Sequence, residues 1–226
     1  MDDWMIGLLV IGGMVSFIGG IIYLGIRLEK VRREKLEKFA SELSLDFHPT
    51  GLEELQSLLQ EFKLFNLGRS RKMTNVILGE TEIIKVAIFD YSYTTGSGKE
   101  QSTANQTVVA MESNELNIPS FTMRPEHLFD WVGSAFGFQD IDFDDHPQFS
   151  KLFVLKATDE SSVRDFFDQE LLDFFTERKG ITFEGIPGRF IYFKAGRRTK
   201  VEDMKSYLEE GYSVYSAFMA RLARQA

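Results

Sequence analysis

Residues 82–94 read EIIKVAIFDYSYT and residues 103–111 read TANQTVVAM. Both runs are rich in Val, Ile, Tyr, Phe and Thr, the residue types that favour β-strands. The loop between them carries two glycines, which are typical of a turn. Residues 75–78 form a third extended run, which a Gly-Glu-Thr turn separates from the first. The pattern predicts an antiparallel meander of three strands.

Helical patterns flank this meander on both sides. Residues 50–53, Thr-Gly-Leu-Glu, form a capping box, in which the Thr and Glu side chains accept bonds from amides at a helix start. Pro125, at a first helical position, predicts a short helix that ends at Gly137. Asp159 is positioned to cap a further helix, whose inward-facing residues continue to Phe175.

The second half of the chain adds three short strands, at residues 151–156, 181–184 and 189–193. A capping box at residues 199–202 opens a long final helix, whose apolar residues recur every three or four positions. Gly211 lies in that apolar stripe, which we interpret as packing closely across a strand rather than as a coiled-coil seam. The predicted fold class is α+β, with a mostly antiparallel sheet packed with helices.

An uncharged stretch precedes these elements. Residues 4–26, with Trp4 and Ile26 at their ends, hold sixteen apolar residues, six glycines and one serine. At about 1.5 Å per helical residue they extend roughly 35 Å, enough to cross a hydrocarbon core of about 30 Å. A cleaved signal peptide would instead begin with basic residues and end in a small-x-small site. We therefore predict one uncleaved transmembrane helix, with residues 1–45 as anchor and stalk and residues 46–226 as a cytosolic domain.

Basic residues set the predicted orientation of this helix. None precedes the uncharged stretch, and several follow it closely: Arg27, Lys30, Arg32, Arg33 and Lys35. The positive-inside bias places the N-terminus outside and the rest of the chain in the cytosol. Residues 27–42 have amphipathic helical composition, so the helix is expected to continue as a stalk that ends before His48.

Small residues suggest a pairing surface within the predicted span. Gly12, Ser16 and Gly20 recur every four residues, so they share one face of a helix. Such a face would allow a second copy of the helix to approach closely. Glycine is also frequent in membrane helices in general, so the pattern is compatible with a helix that does not pair.

Composition excludes several classes of protein. The chain has 226 residues, a formal charge of -8 and a hydrophobic fraction of 43%, which indicates a folded rather than a disordered protein. The acidic balance argues against a nucleic-acid partner, because phosphate contacts need a basic face. The absence of cysteine excludes disulfides, thiolate metal sites and a cysteine nucleophile.

One acidic cluster could hold a divalent cation. Its members are Asp140, Asp142, Asp144, Asp145 and His146. Such oxygen ligands suit Mg²⁺, Mn²⁺ or Ca²⁺, although the spacing does not fit an EF-hand. The alternation of these acids with Ile141 and Phe143 indicates a second interpretation, an extended segment with one solvated face and one buried face.

The remaining motifs do not indicate a catalytic site. Residues 95–99, Thr-Gly-Ser-Gly-Lys, lack the first glycine and the helical context of a phosphate-binding loop, so they are predicted to be a hairpin tip. Basic residues concentrate at 69–72 and 189–200, where they would either face anionic lipid or form ordinary solvated loops. The many phenylalanines are expected to form a core rather than an acyl-chain pocket.

Residues 89–98, FDYSYTTGSG, together with residues 139–144, QDIDFD, resemble segments of uncharacterised bacterial single-pass inner-membrane proteins with a cytosolic α+β domain. The resemblance implies a bacterial inner membrane and carries no assigned activity or cofactor. We therefore expect a non-enzymatic, membrane-anchored interaction or scaffold module, with an unknown protein partner and a possible second copy. The alternative is a membrane-tethered, metal-dependent hydrolase or transferase that uses the acidic cluster.

Overall fold

The computed structural model describes residues 3–126 and 140–225, with side chains described from Gly13 onward. Within these ranges, eight strands form one antiparallel sheet: β1 (Asp46–Thr50), β2 (Arg69–Glu80), β3 (Lys85–Thr95), β4 (Ser102–Glu112), β5 (Phe121–Pro125), β6 (Phe153–Ala157), β7 (Thr182–Ile186) and β8 (Arg189–Phe193). The α-helices are α1 (Asp3–Glu42), α2 (Glu53–Leu59), α3 (Pro147–Leu152), α4 (Glu160–Phe166), α5 (Gln169–Thr176) and α6 (Met204–Gln225). The predicted α+β class is confirmed.

The meander predicted from the sequence forms the centre of one half of the sheet. Strands follow the order β1-β2-β3-β4-β8-β7-β5-β6. β3 and β4 pair without interruption from Lys85 and Glu112 to Thr95 and Ser102. Gly96 closes the hairpin tip with φ of 70°, a left-handed conformation that glycine adopts without strain. The tip joins two strands, as predicted.

Both faces of the sheet are covered. One face packs against α1, α4, α5 and α6, and its core is rich in buried phenylalanine rings, including Phe121, Phe175, Phe183 and Phe218. The other face packs against α2 and the 3₁₀ turn that follows it, Lys63–Asn66. Offset and edge-to-face rings such as these fill cores efficiently, so the interpretation of a phenylalanine-rich core is confirmed.

Gly211 allows α6 to approach the sheet closely, as the sequence indicated. A Cβ atom at this position would lie 2.7 Å from Cε1 of Tyr192 in β8 and 2.8 Å from Cε of Met111 in β4. Carbon atoms in contact normally lie about 3.5 to 4.0 Å apart. The glycine therefore sets the spacing between the final helix and the sheet.

Neither predicted capping box forms. Thr50 is the last residue of β1, where it lies opposite Thr74, and Leu52 stands at the N-cap of α2 without a side-chain bond. At the second box, Lys200 is the N-cap residue of a short 3₁₀ turn, and Glu202 bonds to Lys35 instead. In both places, a residue that the capping box requires makes a tertiary contact instead.

Several predicted boundaries were wrong. Pro125 ends β5 instead of opening a helix, and residues 127–137 of that predicted helix lie outside the described residues. The strand predicted at 151–156 begins only at Phe153, after α3. The helix capped by Asp159 does form, as α4, but it ends at Phe166 and does not continue to Phe175. Asp168 caps a separate helix, α5, by accepting a bond from Leu171 N at 3.0 Å.

The chain between α1 and α2 contains a strand that was not predicted. The helical stalk ends at Glu42, before His48, as expected. Residues 46–50 then add β1 to the edge of the sheet beside β2. Pro49 interrupts the apolar alternation that signals a strand, yet proline is tolerated on an edge strand because it need not donate there.

α1 is one helix of 40 residues. Among the described residues, no helix is long and apolar enough to cross a membrane, so they do not support the predicted transmembrane span. The side chains of Trp4 and Gly12 lie outside the described residues. Ser16 is exposed, and apart from the neighbouring residues and the helix's own backbone no atom lies within 4 Å of the position of a Cβ on Gly20.

Candidate functional site

The second half of α1 is joined to the sheet by a buried ion pair. Arg32 donates from Nε to Oδ2 of Asp90 and from a terminal nitrogen to Oδ1, each at 2.7 Å. The Asp90 side chain in β3 is 1% exposed and that of Arg32 is 15% exposed. Two parallel bonds to one carboxylate fix the orientation of both groups. The pair therefore holds α1 at one position on the sheet.

Neighbouring polar groups complete this ion pair. Asn75 Nδ2 donates to Asp90 at 3.0 Å, and Thr107 Oγ1 donates to it at 2.9 Å. Asn75 has φ of 52°, beside an irregularity in the pairing of β2, which is a conformation that asparagine tolerates better than most residues. Arg32 also donates to the backbone oxygen of Thr199 at 2.9 Å. The network thus connects α1, the strands β2, β3 and β4, and the loop before α6.

Two outer ion pairs flank the network. Lys35 Nζ lies 2.8 Å from Glu202, and this bond lowers the pKa of the Glu202 carboxyl below its ordinary value. Arg198 pairs with Glu29 one helical turn before Arg32. Together with buried Leu36 and Ala40, these contacts define the junction, which comprises residues 29–40 of α1 and residues 198–202. The junction makes the second half of α1 part of the domain's core.

The first half of α1 has the opposite character. Its described apolar side chains are mostly exposed, at 51–70%: Met14, Val15, Phe17, Ile18, Ile21, Ile22, Tyr23, Leu24, Ile26 and Leu28. They occupy successive positions, so they surround the helix rather than form one stripe. Large contiguous apolar surfaces on soluble proteins mark interaction sites with membranes or other proteins. We therefore expect a membrane or another protein to cover this segment.

A groove lies between α2 and the sheet. Its volume is about 460 Å³, and its apolar lining includes Leu55, Leu58 and Phe190. Asp46, Glu54 and Glu80 also line it and are exposed. Two cations line it as well, but Lys85 is paired with Glu112 and Arg189 with Glu61. The rim is therefore net negative around an apolar floor.

Glu184 in β7 is a buried carboxyl that the sequence analysis did not identify. It accepts bonds from the backbone N–H groups of Lys63 at 2.6 Å and Leu64 at 3.0 Å. Burial raises its pKa from 4.5 to about 7, although both bonds oppose that change. The carboxyl satisfies the start of the 3₁₀ turn, which has no side-chain cap of its own. Its role is to hold this turn against the sheet.

The acidic cluster does not converge. Asp140 pairs with Lys156 at 3.0 Å, while Asp142, Asp144 and Asp145 are exposed. His146 is buried, where it bonds to Asp173 at 2.8 Å and accepts a bond from Phe149 N. Ile141 and Phe143 are buried between the exposed acids, as the second interpretation expected. In the described part of the chain, no three His, Asp or Glu side chains are placed to hold a metal ion.

The predicted orientation residues divide between two roles. Arg27 and Arg33 are exposed, and Lys30 lies 3.9 Å from Glu34 on the helix surface. Arg32 and Lys35 instead belong to the junction. The sequence did contain a signal for this, because Asp90 is the one charged residue in the apolar run of residues 86–94.

Comparisons with known proteins bear on the fold. No protein-family model matches the sequence, and no curated protein matches it either. Among solved structures, the fold is similar to the crystal structure of the mycobacterial trehalose monomycolate transport factor A, TtfA. The TM-score is 0.58 at 13% sequence identity, and the match covers 84% of this chain and 94% of that chain. At this identity the likeness shows a shared α+β fold.

Proposed function

We propose that this protein is a non-enzymatic, membrane-anchored interaction module. The observation that carries the proposal is the two-part character of α1. Its described residues from 14 to 28 expose apolar side chains on all sides, and its second half is built into the core of the domain through Arg32, Leu36 and Ala40. A continuous helix of this kind fixes the position of a folded domain relative to whatever covers its apolar end.

The proposed cover is a lipid bilayer. In the sequence, residues 4–26 form one uncharged stretch of 23 residues, and basic residues follow it closely. In this account the protein is a single-pass inner-membrane protein, with residues 1–45 as anchor and stalk, and the second half of that stalk packs into the core of the cytosolic domain of residues 46–226. Gly12, Ser16 and Gly20 remain the proposed contact between the spans of two copies.

The groove beside α2 is the proposed site for a protein partner. Its net negative rim and apolar floor complement an amphipathic segment that carries Lys or Arg beside apolar side chains. The proposed anchor keeps the domain beside the bilayer. We therefore place the partner's docking segment at the membrane surface or in a cytosolic loop of a membrane protein.

The groove is testable with defined peptides. A helical peptide of Leu and Lys should bind the detergent-solubilised full chain, and a matched peptide of Leu and Glu should not. The double variant Glu54→Lys and Glu80→Lys should reverse this preference, because it inverts the charge of the rim. A control double variant at Glu37 and Glu209, both exposed and outside the groove, should keep it. Equal binding of both peptides to the unaltered chain would contradict the groove assignment.

The enzymatic alternative has a separate test. A metal-dependent hydrolase would bind Mg²⁺ or Mn²⁺ through residues 140–146, and tight binding raises the melting temperature by mass action. Because those side chains diverge, we expect millimolar concentrations of either metal to leave the melting temperature of the full chain unchanged. A rise that is abolished by Asp142→Asn and Asp144→Asn would favour the enzyme.

A further inference from the structure

Two basic segments of the chain meet at the junction. Residues 27–33 and 194–200 together hold eight Lys and Arg and one Glu, in a chain whose formal charge is -8. The pairing of Arg198 with Glu29 and the bond from Arg32 to the Thr199 oxygen place these segments side by side. They form a basic collar around α1, defined by Arg27, Lys30, Arg33, Arg197, Arg198 and Lys200.

Much of the collar's charge faces solvent. Arg27, Arg33, Arg197 and Lys200 are exposed, and the side-chain bonds described for the junction are made by other residues: Glu29, Arg32, Lys35, Arg198 and Glu202. Lys30 and Arg198 are partly neutralised by Glu34 and Glu29. Concentrating like charges on one surface raises the local potential and attracts anions. The fold has therefore brought these cations together beside α1, where residues 197–200 adjoin a depression that Glu177, Asp203, Glu209 and Glu210 also line.

The collar begins where the apolar half of α1 ends. Arg27 directly follows Ile26, and Arg33 lies about 10 Å further along the helix at about 1.5 Å per residue. Residues 197–200 lie beside this same part of α1. A Debye length at physiological salt is about 8 Å, so Arg27 lies within one Debye length of a bilayer surface near Ile26, and Arg33 lies slightly beyond it.

We propose that the collar binds the headgroups of anionic phospholipids in the leaflet that faces the domain. This inference rests on the proposed membrane anchor and adds the class of lipid that the domain recognises. Each basic residue near an anionic surface changes affinity by about fivefold. The four exposed cations lie on two segments, of which the first belongs to the anchor and the second to the domain. Their attraction to the headgroups would hold the domain against the membrane in one orientation.

Hydrogen–deuterium exchange of the full chain in lipid nanodiscs tests the proposal. One set of discs contains phosphatidylcholine alone, and the other contains about 30% phosphatidylglycerol as the anionic lipid. The amides of residues 194–200 should exchange at least about fivefold more slowly in the anionic discs. This protection should disappear at about 1 M salt, where the Debye length falls to about 3 Å.

Two matched variants assign the protection to the collar. The collar variant is Arg27→Gln, Arg33→Gln, Arg197→Gln and Lys200→Gln, and it should lose the protection. The control variant removes the same charge at exposed positions elsewhere, through Lys72→Gln, Lys99→Gln, Lys151→Gln and Lys179→Gln, and it should keep the protection. Melting temperatures of both variants equal to that of the unaltered chain would show that neither change disrupts the fold.

Three results would overturn the proposal. The first is equal exchange of the unaltered protein in both kinds of disc, and the second is equal loss of protection in both variants. The third is full protection in phosphatidylcholine discs on addition of inorganic phosphate, which would identify a site for a soluble anion. These results concern protein that stays in the discs. Failure of the full chain to enter discs of either composition would instead contradict the membrane anchor on which the inference rests.

Discussion

Arg32 in α1 and Asp90 in β3 form a two-bond ion pair across 58 residues of sequence, with both bonds at 2.7 Å. The carboxylate is buried and the guanidinium nearly so. Removing one member of a buried pair leaves the other charge without compensation. Among changes in α1, we therefore expect those that remove this pair to lower the free energy of unfolding most.

Replacing Arg32 with Met should lower the free energy of unfolding by about 3 kcal/mol, because Asp90 loses its counter-charge while the side-chain volume is kept. Lys30→Met is the matched control, since its partner Glu34 is exposed, and it should cost less than about 0.5 kcal/mol. Denaturant unfolding of the full chain in mild detergent measures both. The double variant Arg32→Met with Asp90→Asn should regain part of the loss, and simple additivity of the two substitutions would contradict a coupled pair.

A fragment that begins at residue 27 should fold, whereas a fragment that begins at residue 46 should not fold stably. The shorter fragment lacks Leu36 and Ala40, which are buried in the core, and leaves Asp90 without Arg32. Cooperative thermal unfolding monitored by circular dichroism separates the two cases. If both fragments melt at the same temperature, α1 is not part of the folded domain.

Gly211→Ala should destabilise the protein by about 1–3 kcal/mol, because the new methyl group would overlap the Tyr192 ring. The gain in helix propensity, about 1 kcal/mol, offsets only part of this cost. Ser216→Ala, at an exposed position of the same helix, serves as the control and should be nearly neutral. A stabilised Gly211→Ala variant would show that α6 does not approach the sheet as closely as described.

Glu184 should make stability depend on pH. Its pKa is raised from 4.5 to about 7 in the folded protein, so between these values the folded state binds a proton that the unfolded state does not. This contribution to stability is complete below about pH 4.5 and is lost as pH rises through about 7, with a slope of up to about 1.4 kcal/mol per pH unit. Comparing the unfolding free energies of the unaltered chain and Glu184→Gln from pH 5 to pH 8 isolates this carboxyl. The variant should gain relative stability as pH rises, and a constant difference would contradict the raised pKa.

Periodicity was sufficient to predict the meander, the final hairpin and the final helix, because their apolar residues repeat over many positions. It could not predict where elements end when tertiary contacts compete with local ones. Thr50 pairs with Thr74 in the sheet instead of capping α2, and Glu202 reaches Lys35 instead of its own helix start. Local sequence contains no information about such distant partners.

The candidate sites show the same limit. Alternation correctly placed Ile141 and Phe143 inside and Asp142 and Asp144 outside, because the period of an extended chain is local. The junction depends on residues far apart in sequence, so the sequence alone indicates an orientation signal at Arg32 and not a partner of Asp90. A charged residue within an apolar strand was the available clue, and it identifies the need for a partner but not which residue supplies it.

Cysteine labelling in whole cells tests the membrane account most directly, because the chain has no natural cysteine. One variant carries Ser97→Cys at the exposed hairpin tip, and another carries Asp2→Cys before the uncharged stretch. In cells with a permeabilised outer barrier, a membrane-impermeant maleimide should label Asp2→Cys. It should label Ser97→Cys only after lysis. Both proteins should stay in the membrane fraction after an alkaline wash. Release by the wash, or labelling of Ser97→Cys before lysis, would contradict the anchored, inward-facing domain.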